Sequence, residues 1–131
     1  MSENVTPVFG PTNPKESAIK VERFGCVIGL KAEYEQQYRT LHADVWPAVL
    51  DRIKRSNIKN YSIYITEIKG EKYLFSYFEY VGDNLEKDLQ DMALDEETQR
   101  WWKETDCCQF KLPAALPDEN WYRMESVFLF E

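Results

Sequence analysis

Two alternating stretches in the middle of the chain constrain its fold more than any other feature. In KNYSIYITEI, residues 59–68, Tyr61, Ile63 and Ile65 fall on one face and Ser62, Tyr64 and Thr66 on the other. The run KYLFSYFEY, residues 72–80, repeats the alternation after the turn KGEK, so the two are expected to pair as a β-hairpin.

The segments on either side predict what the hairpin joins. KVERFGCVIGL, residues 20–30, is short and rich in β-branched and aromatic residues, which suits one strand. From Glu33 to Arg55 the residues Tyr34, Tyr38, Leu41, Val45, Val49 and Ile53 recur at steps of three and four, the mark of one buried helical face. Pro47 falls inside that run and predicts a kink or brief break, because its ring removes a donor and presses on the carbonyl of Ala43. Asn84 caps a predicted helix over 85–93, and Asp95 caps a second over 96–105. PAALPDEN, 113–120, reads as loop and YRMESVFLF, 122–130, as a last strand.

The resulting order, β-α-β-β-α-β with a divided second helical unit, is the ferredoxin-like plan of the α+β class. It has a four-stranded antiparallel sheet with helices on one face. The other face would carry the aromatic side chains of the hairpin, and a face that apolar is seldom left in water. A second copy of the chain would cover it, which predicts a homodimer. Residues 1–18 hold three of the six prolines and no apolar periodicity, so they are expected to form a flexible N-terminal arm before a single domain over 19–131.

Composition removes several function classes. Sixteen basic against 23 acidic residues leave a net charge of −7, which repels nucleic-acid phosphates and anionic lipid heads. No apolar run approaches the roughly 18 to 20 residues needed to span a bilayer. Of the three cysteines, Cys107 and Cys108 are adjacent and Cys26 stands apart; with one histidine in the chain, no metal site is expected. The N-terminus lacks a secretory pattern, so a reduced, cytoplasmic protein is the expectation. No glycine-rich phosphate loop and no GxSxG motif is present.

Candidate chemistry centres on that histidine. In YRTLHADVWP, Tyr38, His42 and Trp46 stand four apart and would line up on a helix, beside the buried stripe. A partly desolvated imidazole titrating near neutrality suits general acid–base work, although a lone helical histidine is more often a hydrogen-bonded residue at the core's edge. Trp101 and Trp102 diverge by about 100° on a helix, so one of them should face a different surface from the other. Either could serve as a stacking platform for a sugar or as a core or dimer contact. Tyr61 and Tyr64 point to opposite sheet faces, each able to hydrogen-bond a ligand hydroxyl or a backbone group.

Taken in order, Tyr38-x-x-x-His42-x-x-x-Trp46-Pro47, Asn60-Tyr61-Ser62-Ile63-Tyr64, Gln99-Arg100-Trp101-Trp102-Lys103 and Val127-Phe128 resemble the L-rhamnose mutarotases. The resemblance spans residues 22–131. It implies a small cytoplasmic homodimer of ferredoxin-like subunits, a dimeric α+β barrel, that interconverts the α and β anomers of L-rhamnose or a related 6-deoxy aldose without cofactor or metal. By motif, His42 matches the family's proton donor, and Tyr38, Tyr61, Trp101 and Trp102 match its sugar-binding positions. Asp44 stands where a proline is common in the family, and the segment 104–124 departs from its pattern. Two other classes remain open on the sequence: a cofactor-free oxygenase or haem-binding dimeric α+β barrel, with His42 as the available axial ligand, and a non-enzymatic dimeric binding module.

Overall fold

The structure, a computed structural model, describes residues 20–131. The arm expected over residues 1–18 lies outside the described residues. The elements run β1 (Glu22–Leu30), α1 (Glu35–Ala43), α2 (Pro47–Arg55), β2 (Ile58–Ile68), β3 (Glu71–Tyr80), α3 (Leu85–Leu94), α4 (Glu96–Asp106), β4 (Gln109–Phe110) and β5 (Tyr122–Arg123), with a 3-10 turn at Ala32–Tyr34 leading into α1. The sheet is antiparallel in the order β2-β3-β1-β4, and β5 also pairs with β1. This is the α+β, split β-α-β-β-α-β arrangement expected from the sequence.

The hairpin forms around the tightest turn available. Lys69 and Gly70 both take positive φ, 51° and 82°, and Ile68 pairs with Glu71 across them. That is the two-residue turn whose twist matches the flanking strands. Near its other end β2 carries a bulge: Lys59 pairs with Glu79 and Ser62 with Tyr77, leaving Asn60 and Tyr61 opposite Phe78. Asn60 absorbs the extra residue at φ 50° and donates its side-chain N–H to Glu79 at 2.9 Å. Because side chains alternate, one inserted residue reverses the facing of everything beyond it, and Tyr61 thereby turns to the same face as Phe78.

The long helix expected over 33–55 is two helices. α1 stops at Ala43, Asp44 leaves helical geometry at φ −148°, and Pro47 opens α2 at its first turn. A proline there needs no donor and has no carbonyl four residues back to strike, so the break removes the conflict that a continuous helix would create. Trp46, just before the proline, is extended at ψ 132°, as that position prefers. Both predicted caps form: the Asn84 side chain accepts from the Lys87 N–H at 3.1 Å, and Asp95 accepts from the Thr98 N–H at 3.0 Å and the Thr98 hydroxyl at 2.8 Å.

The fourth strand differs from expectation. Only Tyr122–Arg123 of the run 122–130 pairs as a strand, on Cys26 and Val27, while Gln109–Phe110 takes the stretch of β1 at Gly29 and Leu30. The edge of β1 is thus shared between two short pieces. After the Met124 N–H donates to the Gly25 carbonyl at 2.8 Å, the remaining residues lie outside any strand.

Ile28, Leu30 and Leu74 from the sheet pack with Tyr38 of α1 and with Cys108 at the centre of the core, flanked by Ile63, Ile65 and Trp121. The alternation then places Tyr64, Tyr73, Phe75 and Tyr77 on the opposite face, where Tyr64 is 61% exposed. Phe110 lies against Gly29 there, where any Cβ would run into its ring.

Candidate active site

Three elements deliver the five residues singled out by the sequence to one place. Tyr38 and His42 from α1, Tyr61 from the bulge of β2, and Trp101 and Trp102 from α4 all line a single cavity of about 310 Å³. Their separation in sequence is closed by the packing of α1 and α4 beside the sheet.

His42 sits at the last turn of α1 with its Nδ1 2.9 Å from the Tyr38 carbonyl oxygen. A carbonyl oxygen only accepts, so Nδ1 carries the proton and donates it. In the neutral ring Nε2 then holds the lone pair, and it has no hydrogen-bond partner among the described residues. Burial holds the imidazole below its ordinary 6.5, partly offset by the bond to the Tyr38 carbonyl. The ring is fixed on two sides, stacked on Tyr38 at 4.2 Å and 28° and met edge-on by Trp101 at 5.2 Å and 69°.

Trp46 reaches this group by another route than the one expected. The helix ends before it, so it does not continue the line of Tyr38 and His42; it packs edge-on against Trp101 at 5.1 Å. The two adjacent tryptophans divide the work: Trp101 is 7% exposed and Trp102 38%, yet both border the cavity.

Tyr38 is 5% exposed, and its hydroxyl accepts a long hydrogen bond from Gln109 at 3.4 Å. Burial raises its phenol well above the ordinary 10. Tyr61 is 45% exposed as a residue, but burial of its hydroxyl end pushes that phenol up to about 12. Both phenols therefore keep their protons at neutral pH. They can donate hydrogen bonds to a ligand but are poor proton acceptors.

Asp106, Gln109, Asn120 and Trp121 also line the cavity and were not singled out by the sequence. All four come from the segment 104–124 that departs from the family pattern. One signal was available for Asp106: Thr98, Trp101, Trp102, Thr105 and Asp106 are spaced three, one, three and one apart, which is one face of α4. A second hollow of about 290 Å³, between α1 and the β2–β3 hairpin, shares Tyr38 and His42 as its wall. Among the described residues no group of three or more His, Cys, Asp or Glu could hold a metal ion, and no helix is long and apolar enough to cross a membrane.

The arrangement is a partly enclosed aromatic cavity with one imidazole nitrogen and two phenols available to a polyhydroxylated ligand. A protein named L-rhamnose mutarotase from Bacillus subtilis (strain 168) is 31% identical to this chain over 83 residues, which is 63% of this chain and 75% of that one. A second of that name, from Formosa agariphila, is 27% identical over 109 residues, covering 80% of this chain and all of the relative. The crystal structure of an L-rhamnose mutarotase from Formosa agariphila superposes with a TM-score of 0.62 at 24% identity, over 84% of this chain and 99% of that one, and so shares the fold. The family model for L-rhamnose mutarotase matches residues 23–130, and the chain belongs to that family.

Proposed function

We propose that this chain is an isomerase that interconverts the α and β anomers of L-rhamnose, with His42 as proton donor and Tyr38, Tyr61, Trp101 and Trp102 as the sugar-binding residues. The observation that carries the reading is the convergence of these five side chains, the ones the sequence resemblance singles out, on one cavity of about 310 Å³. The family match favours neither the haem-binding nor the assembly alternative.

The chemistry suits the groups present. Opening a pyranose requires an acid at the ring oxygen and a base at the anomeric hydroxyl; the aldehyde then turns and closes on its other face. The bond from Nδ1 to the Tyr38 carbonyl fixes the imidazole so that Nε2 is the nitrogen left to exchange protons. The tyrosine phenols supply neutral hydrogen-bond donors for sugar hydroxyls, and the indole of Trp102 offers a flat face for the apolar side of the ring. Positioned acid–base groups contribute about 10²- to 10⁴-fold, a useful gain over a reaction that already proceeds in water.

The same reading includes a homodimer. Tyr64, Tyr73, Phe75 and Tyr77 leave an aromatic sheet face, and Val127 and Phe130 are 61% and 78% exposed on the C-terminal segment. A cytoplasmic setting is in keeping with the three cysteines, all free.

Saturation-transfer NMR on L-rhamnose, L-fucose and D-glucose tests the substrate. Anomer exchange should be accelerated most for L-rhamnose, because an aromatic wall favours a methyl over a hydroxymethyl, if only modestly. Equal acceleration of D-glucose would contradict the assignment.

A further inference from the structure

We infer that Asp106 is the second acid–base group of the reaction: its carboxylate takes the proton of the anomeric hydroxyl while His42 protonates the ring oxygen. This rests on the mutarotase reading and supplies the partner that His42 needs.

Asp106 lines the same cavity as His42, on the face of α4 that also carries Trp101 and Trp102. Among the described residues it is the only carboxylate that does so. The other titratable groups there are ill suited to accept a proton, since burial keeps the Tyr38 and Tyr61 phenols protonated. If His42 is the acid, the base falls to Asp106.

Its setting also lacks a structural explanation. Glu35 is held by Lys72 and Arg39, Glu79 by Tyr77 and Asn60, Asp88 by Tyr80 and Asn57, and Asp95 by Thr98, and each of these carboxyls is lowered by its partners. Asp106 is exposed as a residue and has no hydrogen bond or ion pair among the described residues; partial burial of its carboxyl end raises its pKa. It is moreover the last residue of α4, where the helix carbonyls oppose a negative charge. The acids that cap and stabilise this helix, Asp95, Glu96 and Glu97, are at its other end. A partnerless acid at the unfavourable end of a helix, facing a cavity, is placed for a ligand rather than for the fold.

The proton count closes. The O1–H proton passes to Asp106, and the electron pair of that bond forms the carbonyl C1=O1. The C1–O5 bond breaks with its pair going to O5, which takes the proton from Nε2 of His42 in its imidazolium form, the state in which the His42–Asp106 pair carries one proton beyond neutral imidazole and carboxylate. After rotation about C1–C2, O5 returns its proton to His42 as it attacks C1, and the carbonyl oxygen recovers one from Asp106. Imidazolium with carboxylate and imidazole with carboxylic acid hold the same number of protons. Burial lowers His42 and raises Asp106, bringing those two forms closer in energy.

The test compares Asp106→Asn and Asp106→Ala with the wild type by anomer exchange on L-rhamnose, with thermal melts in parallel. Asp106→Asn should lower kcat by about 10²- to 10³-fold with KM changed less than about threefold. Its melting temperature should be unchanged or higher, because an ill-placed helix charge is gone. Formate should restore at least about tenfold of the rate lost in Asp106→Ala, which a merely structural role would not allow. A kcat within about threefold of wild type, a loss confined to KM, or no recovery with formate would overturn the inference while leaving the substrate assignment intact. A wild-type chain inert on L-rhamnose would overturn both.

Discussion

His42 is held between Tyr38 and Trp101, and that confinement sets both its reactivity and its cost. Its folded pKa lies below the ordinary 6.5, so the folded chain binds fewer protons than the unfolded one just under that pH. The associated stability is present above about pH 6.5 and is lost as pH falls through the folded value. Melting temperatures from pH 7 to 5 should therefore drop further for the wild type than for His42→Asn; parallel curves would contradict the burial of the ring. Around the histidine, Tyr61→Phe removes one hydrogen-bond donor worth about 1 kcal/mol and should raise KM by about fivefold. Trp102→Ala, which strips an exposed platform rather than a core side chain, should raise KM by about tenfold with little change in melting temperature. Steady-state exchange kinetics read both. The sequence singled out these five residues through the family resemblance, and spacing placed Tyr38 under His42 because four residues make about one turn. Gln109 and Trp121 stayed hidden because their place at the cavity depends on where β1 brings the segment after α4, a long-range contact with no local pattern, whereas Asp106 shares a face of α4 with Trp101 and Trp102 and carried a local signal.

Among the elements, the bulge of β2 has the largest consequence for the site. Asn60 holds φ 50°, a conformation that costs most residues about 1–2 kcal/mol and that Asn and Gly tolerate. Asn60→Gly should keep stability within about 0.5 kcal/mol, whereas Asn60→Val should lose about 1–2 kcal/mol in denaturant titrations and raise KM by misdirecting Tyr61. Equal stability of the two variants would deny the strain. The hairpin and the two capped helices were legible because alternation, Lys69-Gly70, Asn84 and Asp95 are local signals that the fold leaves unopposed. The helix from Glu33 to Arg55 was half legible. Apolar period carries across Pro47 without a fault, and only the proline's missing donor and its clash with residue 43 divide it, with Pro47 becoming the start of α2. The final strand was over-read. YRMESVFLF has strand character throughout, but pairing needs an edge, and β1 offers it one only at Cys26 and Val27, beside the length held by β4.

At the scale of the whole molecule, the sheet buries one face under Tyr38 and the core and leaves Tyr64, Tyr73, Phe75 and Tyr77 on the other. Light scattering at micromolar concentration should report twice the chain mass of 15.6 kDa, and Tyr64→Asp should shift it toward the monomer. A wild-type chain that remains monomeric would remove the dimer reading. The cavity itself is a product of the entire fold, since α1, β2 and α4 each bring part of it. Its function is tested most directly by magnetisation exchange between the α and β anomeric protons of L-rhamnose, measured with wild-type protein and with His42→Asn shown by circular dichroism to be folded. Wild type should accelerate the exchange, and the variant should lose about 10²- to 10⁴-fold of that acceleration while still binding the sugar. Exchange at the wild-type rate in folded His42→Asn, or no acceleration by the wild type, would contradict catalysis at this site.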